Sequence, residues 1–164
     1  MATLYGASVF QESANASNIR YDTLGKDSEV IAVGDPLTIQ SGVLSVATDE
    51  QTIIGIAVKS QTMPATNDSV YPGYIPADGT IFLMGTNADL TDNETDGGTY
   101  YEITGTTGAV QVDVSEGVVT GSARVVEIVK VDPRQIGGTG AGNGSRECLV
   151  RFVKTPYTNV NITA

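Results

Sequence analysis

The stretch that decides the fold runs from Gly34 to Val58 and reads GDPLTIQSGVLSVATDEQTIIGIAV. Two short β-rich runs flank Gln40-Ser41-Gly42, a typical turn sequence, and a polar connection then leads to a third run that is almost continuously apolar. Because a continuously apolar strand is normally covered on both faces, the third run is expected to be buried. The stretch therefore predicts a β-hairpin followed by a third strand.

Much of this unit recurs 66 residues further along the chain. The matched positions are Gly42 with Gly108, Leu44 with Val110, Val46 with Val112, Ile53 with Val119, Gly55 with Gly121, and Ala57 with Ala123. A second match, at nearly the same shift, joins the turn at 78–80 to the turn at 143–145, each just before an apolar run. Matched glycines have a structural reason, since glycine reaches the positive φ that many turns need. We predict two hairpin-plus-strand pseudo-repeats.

The rest of the chain also favours an all-β fold. The 164 residues suffice for one buried core, and β-branched residues alternate with glycine-rich turns. The runs expected to form strands are 30–33, 37–39, 43–46, 52–60, 70–75, 80–84, 99–103, 109–114, 117–120, 123–131 and 147–154. Two repeats that each have one face to bury are predicted to form a single β-sandwich or small β-barrel.

The β domain is expected to span residues 28–154, between two extended ends. Residues 1–27 are polar and read as an extended N-terminal arm, and residues 155–164 read as an extended C-terminal tail. Spaced apolar side chains along the arm are candidate anchors on a capsid or a neighbouring subunit, and a frayed terminus without a role is the alternative. The candidate anchors are Leu4, Tyr5, Val9, Phe10, Ile19 and Tyr21.

The charge of the chain limits its partners. Nine Lys plus Arg against nineteen Asp plus Glu give a net charge of −10, which repels nucleic acid and anionic membranes alike. Without an apolar run of about 18 residues or a basic leader before an apolar segment, the chain is expected to be soluble and made in a cytoplasm.

Most of the basic residues are concentrated in one β segment. Residues 124–154 hold six of the nine, and they form a candidate basic contact surface for an acidic partner. Ordinary cross-strand pairing with carboxylates is the alternative. The six residues are Arg124, Lys130, Arg134, Arg146, Arg151 and Lys154.

No pattern of catalytic residues stands out. The chain has no His, so the usual general base and zinc ligand are missing, and neither catalysis nor a cofactor is expected. The glycine-rich loop 137–145 lacks the residues of a phosphate-binding loop and precedes a strand. Asp92, Glu94 and Asp96 begin like a calcium loop, but Ile103 stands where the bidentate Glu belongs, so calcium is only a weak alternative to no metal. Cys148 is the single cysteine, and we expect a buried, inert thiol.

The sequence resembles the small β-rich decoration, or cement, proteins on the capsids of tailed bacteriophages. The resemblance covers about residues 30–153, and it is carried by Gly34-Asp35-Pro36-Leu37, Gly42-Val43, Gly55-Ile56-Ala57-Val58 and Leu149-Val150-Arg151-Phe152-Val153. It implies a homotrimeric structural protein of the virion that binds the outer surface of an assembled capsid and bridges neighbouring major capsid subunits. Extended ends of such proteins commonly reach neighbouring subunits.

A noncatalytic carbohydrate- or receptor-binding β-module of a surface or fibre protein is the alternative function. Tyr71, Tyr74, Tyr100 and Tyr101 are the aromatic side chains that such a module would offer for stacking against sugars.

Overall fold

The protein is described from a computed structural model, which covers residues 6–11, 19–90, 98–131 and 147–156. These residues form β-strands and one short 3-10 helix, Gly121–Ala123, and contain no α-helix, which confirms the all-β prediction. The strands are β1 (Ala7–Gln11), β2 (Val30–Ile31), β3 (Pro36–Gln40), β4 (Val43–Val46), β5 (Gly55–Ala57), β6 (Gln61–Thr62), β7 (Tyr74–Pro76), β8 (Ile81–Gly85), β9 (Thr99–Thr104), β10 (Gln111–Asp113), β11 (Val126–Val131) and β12 (Glu147–Phe152).

The strands are arranged in three antiparallel sheets. The largest has the order β1-β8-β12-β11-β9-β10, the second has the order β4-β3-β5-β7, and β2 pairs with β6 in a small ribbon. One hydrophobic cluster takes side chains from both main sheets, among them Leu37 and Leu44 from one sheet and Phe82 and Phe152 from the other. The two sheets therefore share a core.

The predicted hairpin repeat is visible in the strand register. In the first hairpin, Leu37 pairs with Val46, and the same shift of 66 gives Ile103 and Val112, which are paired in the second hairpin. Gly42 and Gly108 have φ values of +85° and +74°, so both turns use the positive φ that glycine allows. The two hairpins are equivalent in register, but their turns differ in conformation, because Ser41 also has a positive φ of +51° and Thr107, its counterpart, does not.

The third strand of each repeat lies on the same side of its hairpin but at a different spacing. β5 pairs with β3, and β11 pairs with β9, so the strand orders β4-β3-β5-β7 and β10-β9-β11-β12 correspond. The shift of 66 fails here, because it places β5 on the 3-10 helix rather than on β11. The predicted matches of Gly55 with Gly121 and Ala57 with Ala123 are therefore wrong as structural equivalences.

A fifth segment closes each of these two sets of four strands. In unit 1, residues 19–76, the backbone of Arg20 pairs antiparallel with Tyr74 of β7, and Gly25 pairs parallel with Leu44 of β4. In unit 2, residues 81–152, β8 pairs antiparallel with β12, and Thr86 just beyond it pairs parallel with Val112 of β10. Each unit is thus a closed ring of five hydrogen-bonded segments with the same order, in which every segment has a neighbour on both sides. Residues 19–25 are called the closing segment below.

Several predicted boundaries differ from the structure. Residues 117–120 form no strand, and β5 occupies only three positions of the predicted run 52–60. The second predicted match, which made β8 the counterpart of β12, also differs from the structure. β8 is instead the counterpart of the closing segment, and it pairs directly with β12. The turn at 143–145 lies outside the described residues.

The predicted N-terminal arm contributes to the β domain itself. Residues 7–11 form β1, which pairs with β8 at the edge of the largest sheet, and residues 19–25 close unit 1. The sequence did not predict β1, because its five residues show little alternation of polar and apolar side chains. The described parts of the arm therefore lie on the sheets of their own chain.

Candidate interaction surfaces

The position of β1 is fixed by a close contact between two glycines. Gly6 and Gly34 both have positive φ, and a Cβ atom on Gly6 would lie 2.9 Å from the carbonyl carbon of Gly34. The backbone N–H of Ala7 donates to the Gly34 carbonyl at 2.7 Å, and that of Gly6 donates to the Val110 carbonyl at 2.8 Å. Only glycine at both positions allows this approach, so the start of β1 is held against both units.

Three of the predicted arm anchors have described side chains: Val9, Ile19 and Tyr21. Val9 is half-buried in β1 opposite Phe82, whereas Ile19 and Tyr21 are 47% and 61% exposed. Phe10 belongs to β1, and its side chain is not among the described groups. Leu4 and Tyr5 lie outside the described residues. A role of these anchors in binding a capsid stays a prediction.

Ile19 and Tyr21 lie on one face of the closing segment. Because Arg20 pairs antiparallel with Tyr74, Tyr21 stands opposite Gly73, and its ring covers that glycine so closely that a Cβ there would lie 2.6 Å from Tyr21 Cε1. Tyr71, two residues before Gly73, is 46% exposed. We call Ile19, Tyr21 and Tyr71 the tyrosine edge.

No local sequence pattern joins the two parts of the tyrosine edge. Fifty residues separate Tyr21 from Tyr71, and only the pairing of the closing segment with β7 brings their backbones together. The sequence identified Ile19 and Tyr21 as anchors and Tyr71 as a separate stacking candidate. The signal that was missed is Gly73, whose lack of a side chain leaves room for the Tyr21 ring.

The structure describes three side chains of the candidate basic surface, and all three have partners in the same chain. Arg151 donates to Glu127, its cross-strand neighbour on β11, with Nε at 3.1 Å from Oε2. The guanidinium of Arg124 lies 4.6 Å from the ring centroid of Tyr100, which is a cation–π contact. Lys154 donates to the carbonyls of Glu50 and Ser122. Of these contacts, only that of Arg151 with Glu127 is the cross-strand pairing with a carboxylate that was the alternative.

The other members of the candidate basic surface cannot be placed in the same way. Lys130 belongs to β11, where its backbone is described and its side chain is not. Arg134 and Arg146 lie outside the described residues. Binding of an acidic partner by this surface stays a prediction.

A group of carboxylates gathers around β9 and β10. Glu102 and Asp113 stand directly opposite each other in the antiparallel pair, and burial raises the pKa of Glu102, with further increases from Glu50, Asp49, Asp113 and Glu116. Asp113 is held by Asn87, whose Nδ2 donates to its Oδ1 at 2.6 Å. Among the described residues, no group of three or more acidic or thiol side chains has the geometry to hold a metal ion. The calcium alternative at Asp92, Glu94 and Asp96 lies outside them.

Asp35 joins the two units. Its carboxylate is buried and accepts the Ala32 N–H at 2.8 Å through Oδ2 and the Gly108 N–H at 2.9 Å through Oδ1. Burial raises the pKa of Asp35, and the two hydrogen bonds act in the opposite direction. The repeat was visible in the sequence, whereas this link between a turn of unit 1 and the turn of the second hairpin was not.

The thiol of Cys148 is fully buried in β12. Burial and the nearby Glu147 raise its pKa to about 12, so it is protonated at neutral pH. A buried thiol in this state is a poor nucleophile, in agreement with the inert role expected from the sequence.

The four tyrosines considered for sugar stacking are not equally accessible. Tyr74 and Tyr101 are buried, with exposed fractions of 6% and 0%, and the half-buried Tyr100 carries Arg124 on its ring. Only Tyr71 presents a largely accessible ring. These four residues therefore do not form one exposed platform.

Comparison with known proteins does not assign this chain to a family. The described part of the chain contains no helix with the length and hydrophobicity needed to cross a bilayer. The chain matches no family model and no curated protein.

Proposed function

We propose that this protein is a noncatalytic structural protein of a phage virion, which binds the outer surface of an assembled capsid and bridges neighbouring major capsid subunits. The observation that carries the proposal is the tyrosine edge: two large apolar anchors, Ile19 and Tyr21, stand exposed beside Tyr71 on backbone that is hydrogen-bonded to β7. Exposed aromatic side chains on a rigid support lose little conformational entropy on binding, which suits a docking surface.

The architecture fits the demands of this role. Shell stabilisation requires contacts with several subunits at once and no reaction centre, and each contact raises the effective concentration for the next. The described β domain is a two-unit scaffold with a shared core and with its short strands tied into closed rings. The resemblance to decoration proteins supports a homotrimer on the outer capsid surface. The net charge of −10 argues against nucleic acid or an anionic membrane as a partner.

The proposal is tested by cosedimentation of the purified protein with capsids that lack it. The double variant Ile19→Ser/Tyr21→Ser should bind at least about tenfold more weakly, because the anchors that lose water on docking are removed. Val118→Ser is the matched control, since Val118 is 56% exposed on unit 2 and lies apart from the tyrosine edge. Circular dichroism and thermal unfolding establish that both variants fold.

Two results would overturn the proposal. Failure of the unaltered protein to cosediment with any such capsid contradicts the function itself. Equal binding by the double variant and the Val118→Ser control contradicts the assignment of the tyrosine edge as the contact surface. Light scattering after size exclusion tests the proposed trimer separately.

A further inference from the structure

The structure describes six cationic side chains, and two of them have no partner in the described part of the chain. The six are Arg20, Lys26, Lys59, Arg124, Arg151 and Lys154. Lys26 forms an ion pair with Glu29 at 3.3 Å, and the last three have the partners given above. Arg20 and Lys59 are exposed and make neither an ion pair nor a side-chain hydrogen bond with any described residue.

Both of these cations lie next to the tyrosine edge. Arg20 directly precedes Tyr21 in the closing segment. The backbone N–H of Val58, the residue before Lys59, donates to the Gly73 carbonyl at 3.1 Å. A Cβ on Gly73 would lie 2.6 Å from Tyr21 Cε1 and 3.0 Å from Val58 Cγ2, so these two side chains cover the same glycine. Arg20 and Lys59 therefore approach the apolar surface from two different segments, and we call them the flanking cations.

The carboxylate closest to Arg20 in the sequence does not pair with it. Asp22 Oδ1 accepts hydrogen bonds from the Tyr74 hydroxyl at 2.7 Å and from Thr23 Oγ1 at 3.1 Å. Alternate residues of an extended segment point to the same side, yet no ion pair joins Arg20 and Asp22. The guanidinium of Arg20 is therefore available to a partner.

We propose that the tyrosine edge docks on a surface of the major capsid subunit that presents carboxylates beside an apolar patch, and that the flanking cations bind those carboxylates. The inference rests on the proposed function and adds the chemistry of the partner. An apolar, aromatic centre with a polar rim is the usual organisation of a protein interface. Because the chain carries a net charge of −10, a partner with carboxylates is repelled by the chain as a whole and attracted locally by the flanking cations, which orient its approach.

The candidate basic surface fits such a partner less well. A partner carboxylate would have to compete with Glu127 for Arg151 and with the Tyr100 ring for Arg124. The flanking cations have no such contact to give up in the part of the chain that is described. Binding at the tyrosine edge therefore adds an ion pair without breaking one.

The rate of association with capsids that lack the protein tests the inference. Arg20→Gln/Lys59→Gln should associate about three- to tenfold more slowly than the unaltered protein at about 50 mM salt, because charges at the rim of an interface act mainly on the association rate. The difference should disappear at about 1 M salt, where charges are screened beyond about 3 Å. The matched control is Val118→Asp/Thr120→Asp, at exposed positions on unit 2, which also changes the net charge from −10 to −12 and should associate within about twofold of the unaltered rate. Thermal unfolding establishes that both double variants fold.

The other outcomes separate this inference from the proposed function. If the unaltered protein binds and Arg20→Gln/Lys59→Gln associates equally fast, the flanking cations have no part in docking and the proposed function stands. Equal slowing of both double variants would assign the effect to net charge, and slowing that persists at 1 M salt would assign it to lost packing. Faster association of the variant without the flanking cations would mean that the partner surface is basic. Failure of the unaltered protein to bind contradicts the proposed function itself.

Discussion

Units 1 and 2 have the same strand order, yet the matching hairpin turns, at Gly42 and Gly108, have different surroundings. Gly42, in the first hairpin, has no neighbouring atom within 4 Å of the position of a Cβ. Gly108, in the second, lies beside Ala32 and donates its N–H to Asp35. The positive φ that both turns share is therefore a local property of glycine, whereas the docking of the second turn is a tertiary contact that holds the units together.

A substitution in the core is expected to have the largest effect, and it tests whether the two units behave as one. Phe82 and Phe152 are fully buried in unit 2 and meet edge to face, with ring centroids 5.6 Å apart. Phe82→Ala should lower the free energy of unfolding by about 3–5 kcal/mol, through lost burial and the cavity left behind. Denaturant unfolding followed by circular dichroism measures this.

The matched variant in unit 1 is Leu37→Ala, at a position with no exposed surface. Since both residues belong to one cluster, each variant should shift a single cooperative transition. Two separate transitions in either variant would show that the units unfold independently and that the shared core does not couple them.

The link through Asp35 is expected to have the next largest effect. Asp35→Asn keeps the size of the side chain but can accept only one of the two N–H groups, from Ala32 and Gly108, that the carboxylate accepts. The other N–H is left buried opposite an amide donor, so the variant should be less stable by about 1–3 kcal/mol at pH 7. Thermal or urea unfolding measures the difference.

The control for this prediction is Asp68→Asn, at an exposed carboxylate, which should change stability very little. If Asp35→Asn is as stable as this control, the hydrogen bonds of Asp35 do not stabilise the contact between the units.

The sequence predicted the parts of the fold that depend on local chemistry. Turn glycines and alternating runs placed the two hairpins, including the exact β4 range 43–46, and they indicated an all-β fold. It could not locate β1, because pairing with β8 and the contact between Gly6 and Gly34 fix that strand through residues far away in the chain. For the candidate site it supplied Ile19 and Tyr21, but their position beside Tyr71 depends on the pairing of Arg20 with Tyr74 across 54 residues.

The two turn glycines allow a smaller and more selective test. Both have positive φ, so alanine at either position should cost about 1–2 kcal/mol of stability through backbone strain. Gly108→Ala should cost more than Gly42→Ala, because its Cβ would lie 3.3 Å from the Ala32 Cβ and would disturb the hydrogen bond to Asp35. Unfolding of both variants under one set of conditions gives the comparison. Equal losses would mean that the docking of the second turn contributes nothing beyond its local conformation.

The smallest expected effect is a gain in stability, and it arises from a difference between the hairpins on their polar faces. The second hairpin pairs two carboxylates, Glu102 and Asp113, whereas the positions that match them in the first hairpin are Pro36 and Ala47, which carry no charge. Burial and four neighbouring carboxylates raise the pKa of Glu102 above 4.5, so the folded protein holds this proton more tightly than the unfolded chain does. The stabilising contribution of this group is therefore fully present below about pH 4.5, and it is lost as the pH rises through the raised pKa.

Glu102→Gln removes the charge and should stabilise the protein at pH 7 by about 0.2–1 kcal/mol, the usual size of a cross-strand charge effect. The gain should vanish near pH 4, where the native side chain is protonated, and it should shrink in 1 M salt, where the repulsion is screened. A gain of the same size at pH 4 and pH 7 would assign it to side-chain packing instead of charge, and the carboxylates around the second hairpin would then have no part in the difference between the two units.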